Sequence, residues 1–143
     1  MSMPSFDTVW GSVLYESKNY NVLNTIVTNE IKEKISKFRQ TNAKGFISAP
    51  WKVSSYIYEI EDGKLYFMNY IFNGKKMYEK DLKTFLQIDG SLRLEIKKEK
   101  VKYEGKGMTK LTYKDIVFKN GVIKDIQEDT RVFQSLADYI EED

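Results

Sequence analysis

The side chains able to do chemistry in this chain are carboxylates, lysines and tyrosines, because its 143 residues include no histidine and no cysteine. That absence excludes, within the chain, a Ser-His-Asp triad, a Cys-His pair, a disulfide, haem bound through His or Cys, and zinc held by either residue. Acid–base work would fall to Asp, Glu, Lys or Tyr with displaced pKa values. Glu59 and Glu61 form one carboxylate pair on a common strand face, about 7 Å apart at two residues of strand rise. They stand beside the Asp62-Gly63 turn, in water, where nothing displaces a carboxyl pKa. Gly105-Lys106-Gly107 lacks the GxxxxGK[ST] spacing of a phosphate loop, and GxGxxG is absent. The reading favours a non-enzyme over an enzyme, for which no motif speaks, and assigns no catalytic residue, no cofactor and no metal.

Three groups of residues have the chemistry of binding instead. Residues 93–114 carry eight basic residues against three acidic ones, and Tyr103 and Tyr113 lie among them. Arg93, Lys97, Lys98, Lys100, Lys102, Lys106 and Lys110 form the candidate basic surface, which can grip phosphates while a tyrosine stacks on a base. Lysines on exposed strands also block edge-to-edge pairing, and lysine is poorer than arginine for bidentate phosphate recognition. Residues 125–143 reverse the sign, with seven acidic residues against Arg131. The two segments can neutralise one another within a molecule or across a dimer, or the acidic end can face a basic partner. The third group is Tyr56, Tyr58, Phe67 and Asn69, a candidate ligand pocket whose competing reading is a filled core.

The element that must position the third group is a hairpin over Ser54–Phe72. Asp62-Gly63 between alternating apolar runs signals a two-residue turn. Taken literally, it pairs Glu61 with Lys64, Ile60 with Leu65, Glu59 with Tyr66, Tyr58 with Phe67, Ile57 with Met68 and Tyr56 with Asn69. One face then carries Tyr56, Tyr58, Ile60, Leu65, Phe67, Asn69 and Ile71.

Around the hairpin, residues 5–16 read as a short helix or a strand. Residues 20–40 read as the main helix, with Leu23, Ile26, Val27, Ile31, Ile35 and Phe38 on one stripe. The β propensity of 25–28 allows a strand first and a helix start near Asn29. Turn signals at Asp62-Gly63, Asn73-Gly74, Asp89-Gly90, Gly105-Lys106-Gly107 and Asn120-Gly121 predict an antiparallel meander of about six strands over 46–128. A three-residue loop at 89–91 matches Leu92 to Ile88. The apolar parity changes across Lys97–Lys100 and predicts a bulge there. Residues 130–140 read as a closing helix capped by Asp129 or Thr130. The whole is an α+β fold: a curled antiparallel meander packed by N-terminal helices and a C-terminal helix, in a single domain over 1–143.

Net charge is +2, so bulk electrostatics points to neither nucleic acid nor membrane. The first residues lack the pattern of a signal peptide, and no apolar run approaches the ~20 residues of a membrane helix. With no cysteine, a cytoplasmic location is expected. The functional expectation is a small soluble non-catalytic protein, monomer or homodimer, acting through a macromolecular partner. The partner is expected to be a protein, with an inhibitor or immunity-like role as the sharper form. The alternative is a ligand-binding or enzyme domain for a small apolar or aromatic molecule, with a pocket between curled sheet and helix. Nucleic-acid binding through the lysine-rich strands is third.

Overall fold

A computed structural model describes residues 10–42 and 54–134. The elements run β1 (Gly11–Tyr15), β2 (Lys18–Val22), α1 (Asn29–Asn42), β3 (Ser54–Glu61), β4 (Lys64–Phe72), β5 (Lys75–Lys76), β6 (Thr84–Phe85), β7 (Gly90–Tyr103), β8 (Lys106–Lys119) and β9 (Val122–Phe133). Of the described residues 62% are in strands and 12% in the one helix, so the fold is mostly β and not α+β. Seven strands close into a barrel in the order β3-β1-β2-β7-β8-β9-β4, with β4 returning to β3. Neighbours are antiparallel except β1 and β3.

Local chemistry accounts for the hairpins. Asp62-Gly63, Asn73-Gly74, Glu104-Gly105 and Asn120-Gly121 all hold two successive residues at positive φ, between +51° and +80°. That is the twist-matched two-residue turn, which Asn, Asp and Gly adopt at least cost. Glu16-Ser17 makes the same turn, at φ +50° and +66°, without either signal residue. Asp89-Gly90 makes no hairpin. Asp89 Oδ1 accepts from the Asn120 N–H at 2.8 Å, and Gly90 pairs with Phe118. The Ile26 side chain lies where a Cβ on Gly90 would stand.

This is where the meander expectation breaks. The chain leaves β4 and does not return beside it as β7. The β1–β2 hairpin lies between β3 and β7, and β9 closes on β4. Residues 11–15 are therefore strand and not helix, 18–22 are strand, and the helix begins at Asn29. Thr28 caps it, its Oγ1 accepting from the Ile31 N–H at 3.3 Å. The closing helix is overturned at 130–133, which complete β9. Residues 135–140 of that expectation, the N-terminal residues 5–9 and the 46–53 part of the expected sheet lie outside the described residues.

The core fills the barrel. Val13, Leu65, Leu92, Leu94 and Ile116 are fully buried, and Phe67 and Phe118 nearly so. Each such side chain contributes about 1.5–3 kcal/mol of transfer free energy. Ile31 and Ile35 of α1 join this cluster, and Phe38 meets Tyr70 edge-on at 6.3 Å. The helix therefore sits at the end of β4 remote from the Asp62-Gly63 turn. Two seams are short. β2 meets β7 at Val22–Leu94, continued by Leu23 N–H to Arg93 O at 2.9 Å. β4 meets β9 at Lys64–Val122, flanked by Leu65 N–H to Gly121 O at 2.9 Å.

Candidate functional site

The pocket candidates lie in and around the barrel core. Tyr58 is 1% exposed, and its hydroxyl accepts from the Ile26 N–H at 3.0 Å and donates to the Ile26 carbonyl at 2.9 Å. Burial pushes it well above the ordinary tyrosine pKa, against a smaller opposing effect of the Ile26 bond. Phe67 meets Tyr58 edge-on at 6.2 Å, and half-buried Tyr56 stacks on Tyr58 at 6.3 Å. Burial also raises the Tyr56 hydroxyl, followed by the charge of Tyr70. Asn69 points elsewhere. Its amide binds Tyr70, Tyr78 and Asp81, tying the 77–81 loop to the barrel.

The register of that hairpin holds from the turn to Tyr58–Phe67 and then shifts. Ile57 faces Asn69 and Tyr56 faces Tyr70, so Met68 is the extra residue of a bulge. The bulge turns Tyr70 and Phe72 inward in place of Ile71.

The basic candidates divide between the barrel wall and a projecting arm. Val22 faces Leu94 with β2 antiparallel to β7, so β7 beyond residue 95 leaves the barrel at the end bearing the Glu16-Ser17 turn. β8 and β9 follow it, β9 as far as the Phe133–Thr109 pair. Residues 101–108 continue as a two-stranded tip. The parity change falls at Ile96, the extra residue between Glu95 and Lys97, one position before the predicted segment.

Arg93 is at the root of the arm, in a bidentate pair with Asp115 (2.8 and 2.9 Å) and 4.1 Å above the Tyr113 ring. Lys97 pairs with Glu99 at 3.1 Å, Lys98 with Glu95 at 3.8 Å, and Lys100 reaches Thr109 Oγ1 at 3.5 Å. Lys102, Lys106 and Lys110 make no ion pair among the described residues. The first two flank Tyr103, which is 62% exposed at the tip. The arm's opposite strands share faces, so Tyr103, Lys106 and Lys110 project from one and Lys98, Lys100 and Lys102 from the other. The second face also carries Leu111, Tyr113 and Phe133, a small buried cluster with Leu23 that the sequence reading missed. Its signal was the odd-numbered apolar positions of β8.

β9 protects its outer edge. Asp125 Oδ1 accepts from the Ile126 N–H at 2.9 Å, and Asp129 Oδ1 from the Thr130 N–H at 2.7 Å. Carboxylates that occupy edge amides discourage strand addition. Asp129 thus caps a strand edge where a helix N-terminus was expected.

The carboxylate pair of the Asp62-Gly63 turn is not left to water. Lys83 Nζ lies 2.8 Å from Glu61 and 3.4 Å from Glu59, and 5.1 Å from the Tyr66 ring. The hydrogen bond from Lys83 and then its charge lower the Glu61 pKa. The bond to Glu61 raises that of Lys83. A depressed glutamate stabilises the fold above its ordinary pKa and loses that contribution as pH falls through the folded value. The raised lysine acts from the other side and loses its part as pH rises through its folded value. Carboxyl-carbon NMR is expected to place the Glu61 midpoint below the ordinary glutamate value. It is expected to move up in Lys83→Met; an unmoved midpoint refutes the assignment.

Beside this pair, the tips of the β1–β2 and β3–β4 hairpins and Ile123 of β9 enclose a cleft of about 560 Å³. The sequence pointed to its Glu59 and Glu61 only; the facing turn carried no signal. Among the described residues no group of acidic side chains has metal-ligand geometry, and no helix is long and apolar enough to cross a membrane. Comparison with family models, with curated proteins and with solved structures finds no match.

Proposed function

We propose that this chain is a non-catalytic binding module whose contact element is the β7–β8 tip and whose partner is a protein with an acidic surface. The observation that carries this reading is Tyr103, 62% exposed between Lys102 and Lys106 at the end of a ribbon that adds nothing to the barrel core. An aromatic on a projecting element makes a strong anchor, because Tyr covers a large area at low entropic cost. The lysines around it, which make no ion pair among the described residues, favour a negatively charged surface and speed encounter with it. The interior is a poorer candidate, since the Tyr58 hydroxyl and the Asn69 amide already have protein partners.

The test shortens the arm without touching the barrel. Val101 and Met108 face each other, so replacing 102–107 by Asn-Gly joins them through the turn used elsewhere in the fold. Cross-linking and quantitative mass spectrometry from native cell lysate are expected to show a partner protein retained by the full chain after nuclease treatment. The shortened chain is expected to retain it about tenfold less, as for loss of one aromatic anchor. Equal recovery by both chains, or loss on nuclease treatment, overturns the proposal; the latter points to nucleic acid.

A further inference from the structure

The cleft between the two hairpin tips has the size and composition of a ligand site. Its volume, about 560 Å³, falls in the range of small-molecule pockets, and barrel mouths are a favoured place for them. The floor is apolar, made by Tyr15, Ile60 and Ile123; Ile60 is 7% exposed and belongs to the core cluster. The rim is anionic, made by Glu16, Glu59, Glu61 and Asp62, and among the described residues no basic side chain lines it. Lys83, the nearest described cation in an ion pair with this group, is held on Glu59 and Glu61. Glu16 and Asp62 make no ion pair among the described residues.

These walls select by chemistry. A carboxylate or phosphate entering the cleft would meet like charge with no cationic side chain in the described lining to offset it, only the hydroxyls of Tyr15 and Ser17. A neutral hydrocarbon would cover the floor and desolvate the rim without pairing it. An ammonium group matches the rim, because its three donors can be shared among several carboxylates. The half-buried Tyr15 ring offers a face for the same cation or a surface for an aromatic body. Burial first, and then the hydrogen bond and charge of Glu16, raise the Tyr15 pKa, so its hydroxyl stays protonated.

We propose that the barrel mouth binds a small organic cation, a primary ammonium carried on an aromatic or aliphatic body. The body lies on Tyr15, Ile60 and Ile123, and the ammonium lies between Glu16 and Asp62. The site shares no residue with the arm, and it stands or falls independently of the arm's partner.

The probes are 2-phenylethylamine, its neutral analogue 2-phenylethanol, its anionic analogue phenylacetate, and ammonium chloride. Amide-resolved NMR titration and calorimetry are expected to show 2-phenylethylamine binding, with shifts at Ser17, Gly63 and Ile123. The alcohol, the carboxylate and ammonium alone are each expected to bind at least tenfold more weakly. Glu16→Gln with Asp62→Asn is expected to weaken the amine at least tenfold while leaving the rest of the spectrum in place. Asn suits the positive φ of position 62, so this variant does not threaten the turn. Equal binding by phenylacetate or by ammonium alone, shifts confined to other surfaces, no binding by the amine, or an unaffected double variant each overturn the proposal.

Discussion

Gly11→Ala is expected to destabilise the fold by about 3 kcal/mol or more, at or above the upper end of ordinary overpacking. Gly11 faces Tyr56 across the parallel pairing of β1 and β3. A Cβ built on it would collide with the Tyr56 carbonyl oxygen and lie 2.8 Å from its carbonyl carbon and 2.9 Å from its nitrogen. All three are main-chain atoms, so no rotamer change relieves the contact. β1 would have to retreat from β3, and it is held there from both sides. Trp10 donates its N–H to Val22 O at 3.0 Å, and its carbonyl accepts from the Tyr56 N–H at 2.9 Å. Retreat would break the ring at the place where the N-terminal hairpin enters it. With a urea dependence of about 1–3 kcal/mol per molar, the midpoint is expected to fall by at least 1 M. Gly107→Ala is the control. It has open space around its would-be Cβ, and its change is expected to stay within about 0.5 kcal/mol. If Gly11→Ala melts with the parent, β1 and β3 do not pair as described.

What the sequence made legible was local. Asp62-Gly63 and the alternation around it specified the hairpin register as far as Tyr58–Phe67, because turn chemistry and side-chain parity act over neighbouring residues. The parity change before Val101 marked a bulge to within one residue, at Ile96. Strand adjacency was not legible. The meander and this barrel share the hairpins at Asp62-Gly63, Asn73-Gly74, Gly105 and Asn120-Gly121. The barrel replaces the one expected at Asp89-Gly90 by the β1–β2 hairpin and differs in which edges meet, and those edge choices rest on the few pairings of the two seams. The end of the chain shows a second kind of ambiguity. Val132, Phe133 and Leu136 suit a helical stripe, but Phe133 also pairs with Thr109 and joins Leu111 and Tyr113 on an existing sheet face. Tertiary burial decided between the two periods. The cleft was half visible for a similar reason. Glu59 and Glu61 announced an acidic strand end, whereas Glu16-Ser17, lacking Asn and Gly, gave no sign of a turn set beside it.

Asn69→Leu is expected to cost about 3–5 kcal/mol, and its pattern of damage separates a structural hub from a ligand contact. Asn69 is 1% exposed. Its Oδ1 accepts from the Tyr70 N–H at 2.9 Å and the Tyr78 N–H at 3.1 Å. Its Nδ2 donates to the Tyr78 carbonyl at 3.0 Å and to Asp81 Oδ1 at 2.9 Å. Two donors and two lone pairs are therefore all engaged, which leaves no capacity for a ligand. Leucine has similar volume, so packing is disturbed little and the loss is mainly polar. The Tyr70 and Tyr78 N–H groups and the Tyr78 carbonyl would lose their side-chain partner, at about 1–3 kcal/mol for each group that water cannot reach. The main-chain bonds beside the hub, Met77 N–H to Tyr70 O at 2.7 Å and Leu82 N–H to Met68 O at 2.8 Å, are expected to exchange hydrogen faster. A hub predicts both a lower urea midpoint and faster exchange at Met77 and Leu82. A change within about 0.5 kcal/mol with unchanged exchange would release Asn69 from this role.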